Sequence, residues 1–263
     1  MIKVGYIGTG NMGSALATGA SKNAGGNFEF YLSDLDNEKA TKLQNEIGGT
    51  VVDIKTLAST CDYIFLCVKP QGASDTLNSV KEELLANKNV TLISIVTAWT
   101  TKRIKDIVDV PVIRIMPNTP CLINQGIIVY DYSKDVKKES VDVFLKLVSG
   151  IGLVEKVEEK DIDAISAVSG CGPAFADMFV DAMAEELDEL GIDKQKAINY
   201  ASQMLIGAGS LIISSGKDPN QLKKEVCSPG GSTIEGVYVL ENNNFKQIVK
   251  DAVKASFEKN SKL

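Results

Sequence analysis

Lys3-Val4-Gly5-Tyr6-Ile7-Gly8-Thr9-Gly10-Asn11-Met12-Gly13-Ser14-Ala15-Leu16 decides how the rest of the chain is read. The apolar run Lys3–Ile7 predicts a strand, and the pattern over Asn11–Lys22 predicts a helix. Between them lies G-x-G-x-x-G, the turn that cradles a dinucleotide pyrophosphate at a helix amino end. Gly8 permits the tight turn, Gly10 admits the pyrophosphate, and Gly13 lets helix and strand approach closely. The whole turn, Gly8, Thr9, Gly10, Asn11, Met12 and Gly13, is therefore assigned to the cofactor. Without its strand–helix context the same pattern would be no more than a glycine-rich turn.

The next strand, Glu29–Ser33, ends at Ser33-Asp34, and Asp34 stands 21 residues after Gly13. A carboxylate there accepts hydrogen bonds from the adenosine ribose diol and repels a 2′-phosphate. Ser33 and Asp34 therefore join the cofactor set. The cofactor is NADH or NADPH, with Asp34 leaning toward NADH and Lys39 as the nearby cation that could answer a phosphate.

Outward from this motif, short β-branched runs alternate with helical stretches, the pattern of a parallel sheet covered by helices. Strands are expected at Tyr63–Val68, Thr91–Val96, Val112–Met116, Ile127–Tyr130 and Gly152–Val157, and helices at Glu38–Ile47, Gly72–Ala86, Thr101–Val108 and Lys137–Ser149. Beyond about Lys160 only helix signals remain: Pro173–Leu190 stopped by Gly191, Lys194–Ser214 stopped near Gly216, an Asp218-Pro219 start, a helix from residues 230–233 to about Glu241, and Asn244–Lys259. The fold class is α/β: a Rossmann-type doubly wound sheet over residues 1–158, followed by an all-helical domain over 159–263. The helix Pro173–Leu190 is apolar almost all round, more than a helical domain of this size can bury alone. A homodimer assembled through this domain is expected, or a larger assembly of such dimers.

Composition narrows the chemistry. With 44% apolar and 24% charged residues the chain is an ordinary globular protein. Its net charge of −6 argues against a nucleic-acid partner, which would require a cationic face. The apolar runs are too short for a membrane span, and the first residues enter a strand with no secretory leader, so a cytoplasmic location is expected. Five cysteines without a C-x-x-C pair read as reduced thiols. There is no histidine, which removes imidazole acid–base catalysis and most zinc sites; no metal is expected.

Four further segments carry a resemblance. Cys67-Val68-Lys69-Pro70-Gln71, Arg114-Ile115-Met116-Pro117-Asn118-Thr119-Pro120, Val168-Ser169-Gly170-Cys171-Gly172-Pro173-Ala174 and Cys227-Ser228-Pro229-Gly230-Gly231-Ser232-Thr233-Ile234 follow the glycine turn in order. Together they resemble the pyrroline-5-carboxylate reductase family over nearly the whole chain. The resemblance implies hydride transfer from NAD(P)H to the C=N bond of 1-pyrroline-5-carboxylate, giving L-proline. It places Val68, Lys69, Pro70, Asn118 and Thr119 beside the nicotinamide half of the cofactor, with Cys67 and Ser94 at the same strand ends. It implies that residues 228–233 (Ser228, Gly230, Gly231, Ser232 and Thr233) hold the substrate carboxylate, and that Thr233 is the catalytic contact to the ring nitrogen. Relatives often place a polar residue where this chain has Ile54, and Thr where it has Ser232.

The residues agree with that reading independently. Small residues running into a helix leave the amides of Gly231, Ser232 and Thr233 free at a positive dipole end, a site for a carboxylate, although the same residues also serve as plain caps. A protonated imine accepts hydride without strong acid catalysis, so a chain lacking histidine suits it. The β-hydroxyacid dehydrogenases share the architecture but carry a lysine where this chain has Pro173–Met178, which contains none. A dinucleotide-binding regulator without turnover is the alternative from another class, and it leaves residues 228–233 unexplained.

Overall fold

The β-branched and aromatic runs of the first half all become strands of one sheet. In the computed structural model, which describes residues 1–23 and 25–260, these are Ile2–Ile7 (β1), Phe28–Ser33 (β2), Thr50–Val51 (β3), Tyr63–Leu66 (β4), Thr91–Ser94 (β5), Val112–Met116 (β6), Gly126–Tyr132 (β7) and Gly152–Lys156 (β8). Their order is β3-β2-β1-β4-β5-β6-β7-β8. The change of direction between β2 and β4 around β1 puts the glycine turn at a topological switch point, where open α/β sheets bind ligands.

The sheet is not wholly parallel, as the alternating pattern had suggested. β7 runs antiparallel to β6, with Ile115 opposite Tyr130, and β8 then runs parallel to β7. The reason is length: only residues 117–125 join β6 to β7, with a 3₁₀ turn at Thr119–Ile123, and a parallel crossover needs a dozen residues or more.

Both faces of the sheet are covered, which is why its strands read as continuous apolar runs rather than alternating ones. One face packs against Asn11–Asn23 (α1), Asn37–Ile47 (α2) and Lys138–Val148 (α7), burying Leu16, Leu43, Phe65 and Phe144. Tyr6 stacks on Phe65 at 4.7 Å, and Phe144 meets Tyr130 edge-on at 5.1 Å. The other face packs against Ile54–Thr60 (α3), Pro70–Ser79 (α4), Lys81–Ala86 (α5) and Thr101–Lys105 (α6), burying Leu57, Leu77, Leu84 and Ile104.

β3 and α3 were not foreseen. Two residues are too few for a strand periodicity, and the sign of α3 was its cap: Asp53 accepts from the amides of Lys55 and Thr56. The single helix expected over Gly72–Ala86 is two, parted at Val80, which leaves helical geometry with its side chain fully buried. All five cysteines are free, and burial pushes the Cys61 thiol up to about 12.

The chain forms two compact units, residues 1–170 with 256–260, and 171–255. Glu159–Ser169 (α8) belongs to the first compact unit because it packs on β6 and β7, with Ile162 buried against Met116 and Val129. The second unit consists of Gly172–Glu189 (α9), Lys194–Ser215 (α10), Pro219–Val226 (α11), Ser232–Asn242 (α12) and most of Phe245–Asn260 (α13). Its stops match the sequence: Gly191 and Gly216 take positive φ, and Asp193 and Asp218 cap the helices that follow.

The main packing in that unit is α9 against α10. Among the described residues of the unit only Ala184, Ala197 and Ala201 are buried apolar side chains, whereas Met178 is 72% exposed and Ile213 85%. α9 is thus not covered within its own chain, in line with an apolar surface larger than this unit can bury alone. No helix among the described residues is long and apolar enough to cross a membrane.

Phe144→Ala should lower stability by about 3–5 kcal/mol, since the side chain is wholly buried between α7 and the sheet. Denaturant unfolding checks this, and a loss below about 1 kcal/mol would show that α7 does not anchor that face.

Candidate functional site

The glycines of the first turn have three different reasons to be glycine. Gly8 has φ +96°, and a Cβ there would stand 2.7 Å from the Cys67 carbonyl oxygen. A Cβ on Gly13 would land on the Gly8 carbonyl oxygen. At Gly10 a Cβ would meet no protein atom, so its bareness serves the open space beside it. That space is a cavity of about 830 Å³ whose lining includes Gly8 and Gly10, Val51, Val52 and Ile54, and Cys67, Val68 and Lys69. The first-turn amides of α1 lie at the Gly10 side, where the helix supplies donors without internal partners.

Ser33, Asp34, Asn37 and Lys39 line the end of the cavity after β2. Asp34 has a second task that sequence reasoning missed. Its Oδ2 accepts from Thr9 N at 2.6 Å and from Thr9 Oγ1 at 3.2 Å, and its Oδ1 accepts from Asp36 N at 3.0 Å. Burial opposes its charge, but these hydrogen bonds and the nearby Lys39 ammonium outweigh that and hold the carboxyl below its ordinary value. Asp34 is thus ionised at neutral pH. The stability it adds is present above the ordinary carboxylate range and fades as pH falls through the lowered value.

At the ends of the central strands the expectations divide. Cys67, Val68 and Lys69 face the cavity; burial pushes the Cys67 thiol up, so it remains a neutral thiol. Pro70 begins α4 at its first position, with exposed Lys69 as the cap residue. Ser94 is fully buried and its Oγ accepts from Val96 N, so its side chain closes its own strand end and does not line the cavity. Asn118 is also turned inward: Nδ2 donates to Ser169 O at 2.9 Å and Oδ1 accepts from Ile127 N at 2.9 Å. Thr119 beside it is exposed. β4 and β5 end at Leu66 and Ser94, two residues before the expected Val68 and Val96, and the side chains of Ser94 and Asn118 serve the protein's own backbone.

In the second unit, Cys227 caps the end of α11 and Gly231 caps the start of α12. Gly230 has φ +73°, and the Gly231 amide donates to Ser228 O at 3.0 Å. Gly231 therefore spends its N–H closing a turn and is not the free donor expected of it. α12 carries no side-chain cap hydrogen bond, so its positive end rests on the first-turn amides beginning at Ser232 and Thr233. Ser228, Gly230, Ser232 and Thr233 are exposed.

A family model described as pyrroline-5-carboxylate reductase dimerisation matches residues 159–263. A second, described as NADP oxidoreductase coenzyme F420-dependent, matches residues 3–98, the segment with the glycine turn and Asp34. The pyrroline-5-carboxylate reductase of Escherichia coli (strain K12) is 33% identical over 267 residues, covering 99% of this chain and 98% of that protein. The chain belongs to the pyrroline-5-carboxylate reductase family. A plant member from Pisum sativum is 31% identical over 99% of this chain and 95% of its own. The crystal structure of Plasmodium falciparum pyrroline carboxylate reductase with NADP bound superposes with a TM-score of 0.89 at 30% identity, covering 99% of this chain and 97% of that one.

Gly10→Val should leave the folded protein intact, because a Cβ there meets no protein atom, yet remove dinucleotide affinity by filling the pyrophosphate's space. Titration with NADH and NADPH beside a circular dichroism spectrum checks this; wild-type affinity for either cofactor would remove residues 8–13 from the site.

Proposed function

We propose that this chain catalyses hydride transfer from a reduced nicotinamide dinucleotide to the C=N bond of 1-pyrroline-5-carboxylate, forming L-proline. The observation that supports it most is the end-to-end correspondence with reductases of that name, across both the dinucleotide turn and the segment 228–233. The cavity residues fit such a cofactor: bare Gly10 faces open space at a helix amino end, with an apolar wall at Val51, Val52 and Ile54. A bound nicotinamide would supply the hydride.

The protein's part is placement. The amides of α1 and bare Gly10 hold the pyrophosphate, and the Thr9–Asp34 bonds keep that turn in shape. The amides at the start of α12, with the hydroxyls of Ser228, Ser232 and Thr233, hold the substrate carboxylate, and Thr233 Oγ1 meets the ring nitrogen. The substrate imine enters protonated, so no imidazole acid is required. Alignment and exclusion of water of this kind can lower a barrier by about 7–11 kcal/mol.

NADH is the preferred cofactor in this reading. Asp34 is ionised at the ribose end of the cavity, and a 2′-phosphate there would meet its charge. The active form is a homodimer built through the second unit, where Met178, Ile206, Ile213 and Val239 lie exposed in the single chain.

Oxidation of NADH followed at the reduced-nicotinamide absorbance band, with 1-pyrroline-5-carboxylate as substrate, tests the activity; cofactor binding without turnover would favour a regulatory role. In Thr233→Ala, NADH affinity should persist while kcat/KM for the imine falls at least tenfold, and unchanged kinetics would exclude the assigned contact. Comparing kcat/KM for the two cofactors tests Asp34, since a preference for NADPH would contradict its role. Small-angle scattering at micromolar concentration should show a dimer or a larger assembly, and a monomer would contradict the assembly.

A further inference from the structure

Arg114 opens the segment 114–120, and the assigned function leaves it without a task. It lies on β6 with its side chain wholly buried. Its Nη2 donates to Asp163 Oδ1 at 2.6 Å, and its Nη1 stands 3.8 Å from Glu159 Oε1. Nε and Nη1 make no hydrogen bond among the described residues.

Both carboxylates belong to α8, and both ends of α8 are tied down as well. At its start, Glu159 accepts from Thr101 N at 2.6 Å and Thr101 Oγ1 at 2.9 Å, while its own amide donates to Asp131 Oδ2 at 2.9 Å. At its end, Ser169 O accepts from Asn118 Nδ2, and Asn118 Oδ1 in turn holds the Ile127 amide. The links close a circuit within the first unit: Arg114 to Asp163, along α8 to Ser169, then back to Asn118 at the exit of the strand that carries Arg114.

As a stabilising device this is a poor arrangement. A buried guanidinium with unfilled donors carries a desolvation cost, and replacing a buried ion pair by apolar residues is often neutral or stabilising. What such an ion pair can supply is a single register for α8 against the sheet, and thereby a single placement of the turn that follows β6.

We propose that Arg114 is a positioning residue for hydride transfer: through Asp163 it sets α8, and α8 through Ser169 sets the Asn118–Thr119 turn on the nicotinamide side. This rests on the reductase reading given above. A misplacement on the order of 1 Å can cost about a hundredfold in rate.

The test uses the full chain with both charges removed together, Arg114→Met with Asp163→Ala, so that no lone buried charge remains; Glu159 keeps its bonds from Thr101. Expected are a Tm near that of the wild type and an NADH Kd within threefold, because the glycine turn is untouched. kcat should fall ten- to a hundredfold, and the isotope effect on kcat with NADH deuterated at nicotinamide C4 should rise as hydride transfer becomes limiting. Independently of activity, the Ile127 amide should exchange with deuterated solvent at least tenfold faster while amides of β1 keep their rates.

Asp163→Asn, which retains an acceptor oxygen, should fall between wild type and the double variant in both readouts, and it carries the test alone if the double variant does not fold. A kcat within twofold of wild type, an unchanged Ile127 exchange rate, or acceleration of Ile127 and β1 together would each overturn the proposal. A wild-type protein inactive on 1-pyrroline-5-carboxylate would overturn the reductase reading instead, and the Ile127 exchange rate would still decide whether the strap exists.

Discussion

Between Gly8, Gly13 and Cys67 the backbone approaches itself so closely that no side chain can stand there. Gly8 sits under the Cys67 carbonyl, Gly13 sits on the Gly8 carbonyl, and Gly8 N–H reaches across to Ser33 O at 2.8 Å. Three parallel strands and the first helix converge on that point. Their convergence leaves the amino end of α1 facing the cavity at bare Gly10, and every other feature of the cofactor half follows from it. Hydrogen bonds from Thr9 to Asp34 lock the same turn from the outside, so the carboxylate that follows β2 also holds the glycine turn in shape.

The two halves of the chemistry are held by different physics. The dinucleotide half rests on a sheet buried on both faces, where Tyr6, Phe65 and Phe144 leave little freedom. The segment proposed to hold the imino acid lies at the start of one helix, in a unit whose buried apolar side chains are only three alanines among the described residues. A helix such as α10, with Ile206 and Ile213 open to solvent, cannot keep that face in water, and the apolar excess is consistent with a dimerising unit.

How much was readable depended on whether a signal was local. The glycine turn, the first two strands and the stops at Gly191 and Gly216 were legible because each is set by neighbours in the chain: backbone conformation, capping and periodicity. The antiparallel entry of β7 was not, because it follows from the length of residues 117–125 set against a sheet whose direction the local pattern does not carry. Ser94 and Asn118 show the same limit at the site. Their place at strand ends was evident, but whether each side chain turns toward a cavity or toward Val96 N and Ser169 O depends on residues far along the chain. Arg114 stands in a legible motif, but its role was not legible, since its partners lie 45 and 49 positions later on α8 (159 − 114 and 163 − 114).

The sequence by itself determined that a strand, a glycine turn and a helix would make a dinucleotide seat, that the second half would be helical, and that imidazole chemistry was excluded. Those properties are written in neighbouring residues or in composition, and no fold can remove them. Tertiary structure alone decided that Asp34 would brace Thr9, that Gly231 would spend its amide on Ser228, and that a buried arginine would strap α8 to β6. Each of these pairs groups that a linear pattern cannot bring together, because a hydrogen bond is set by distance in space.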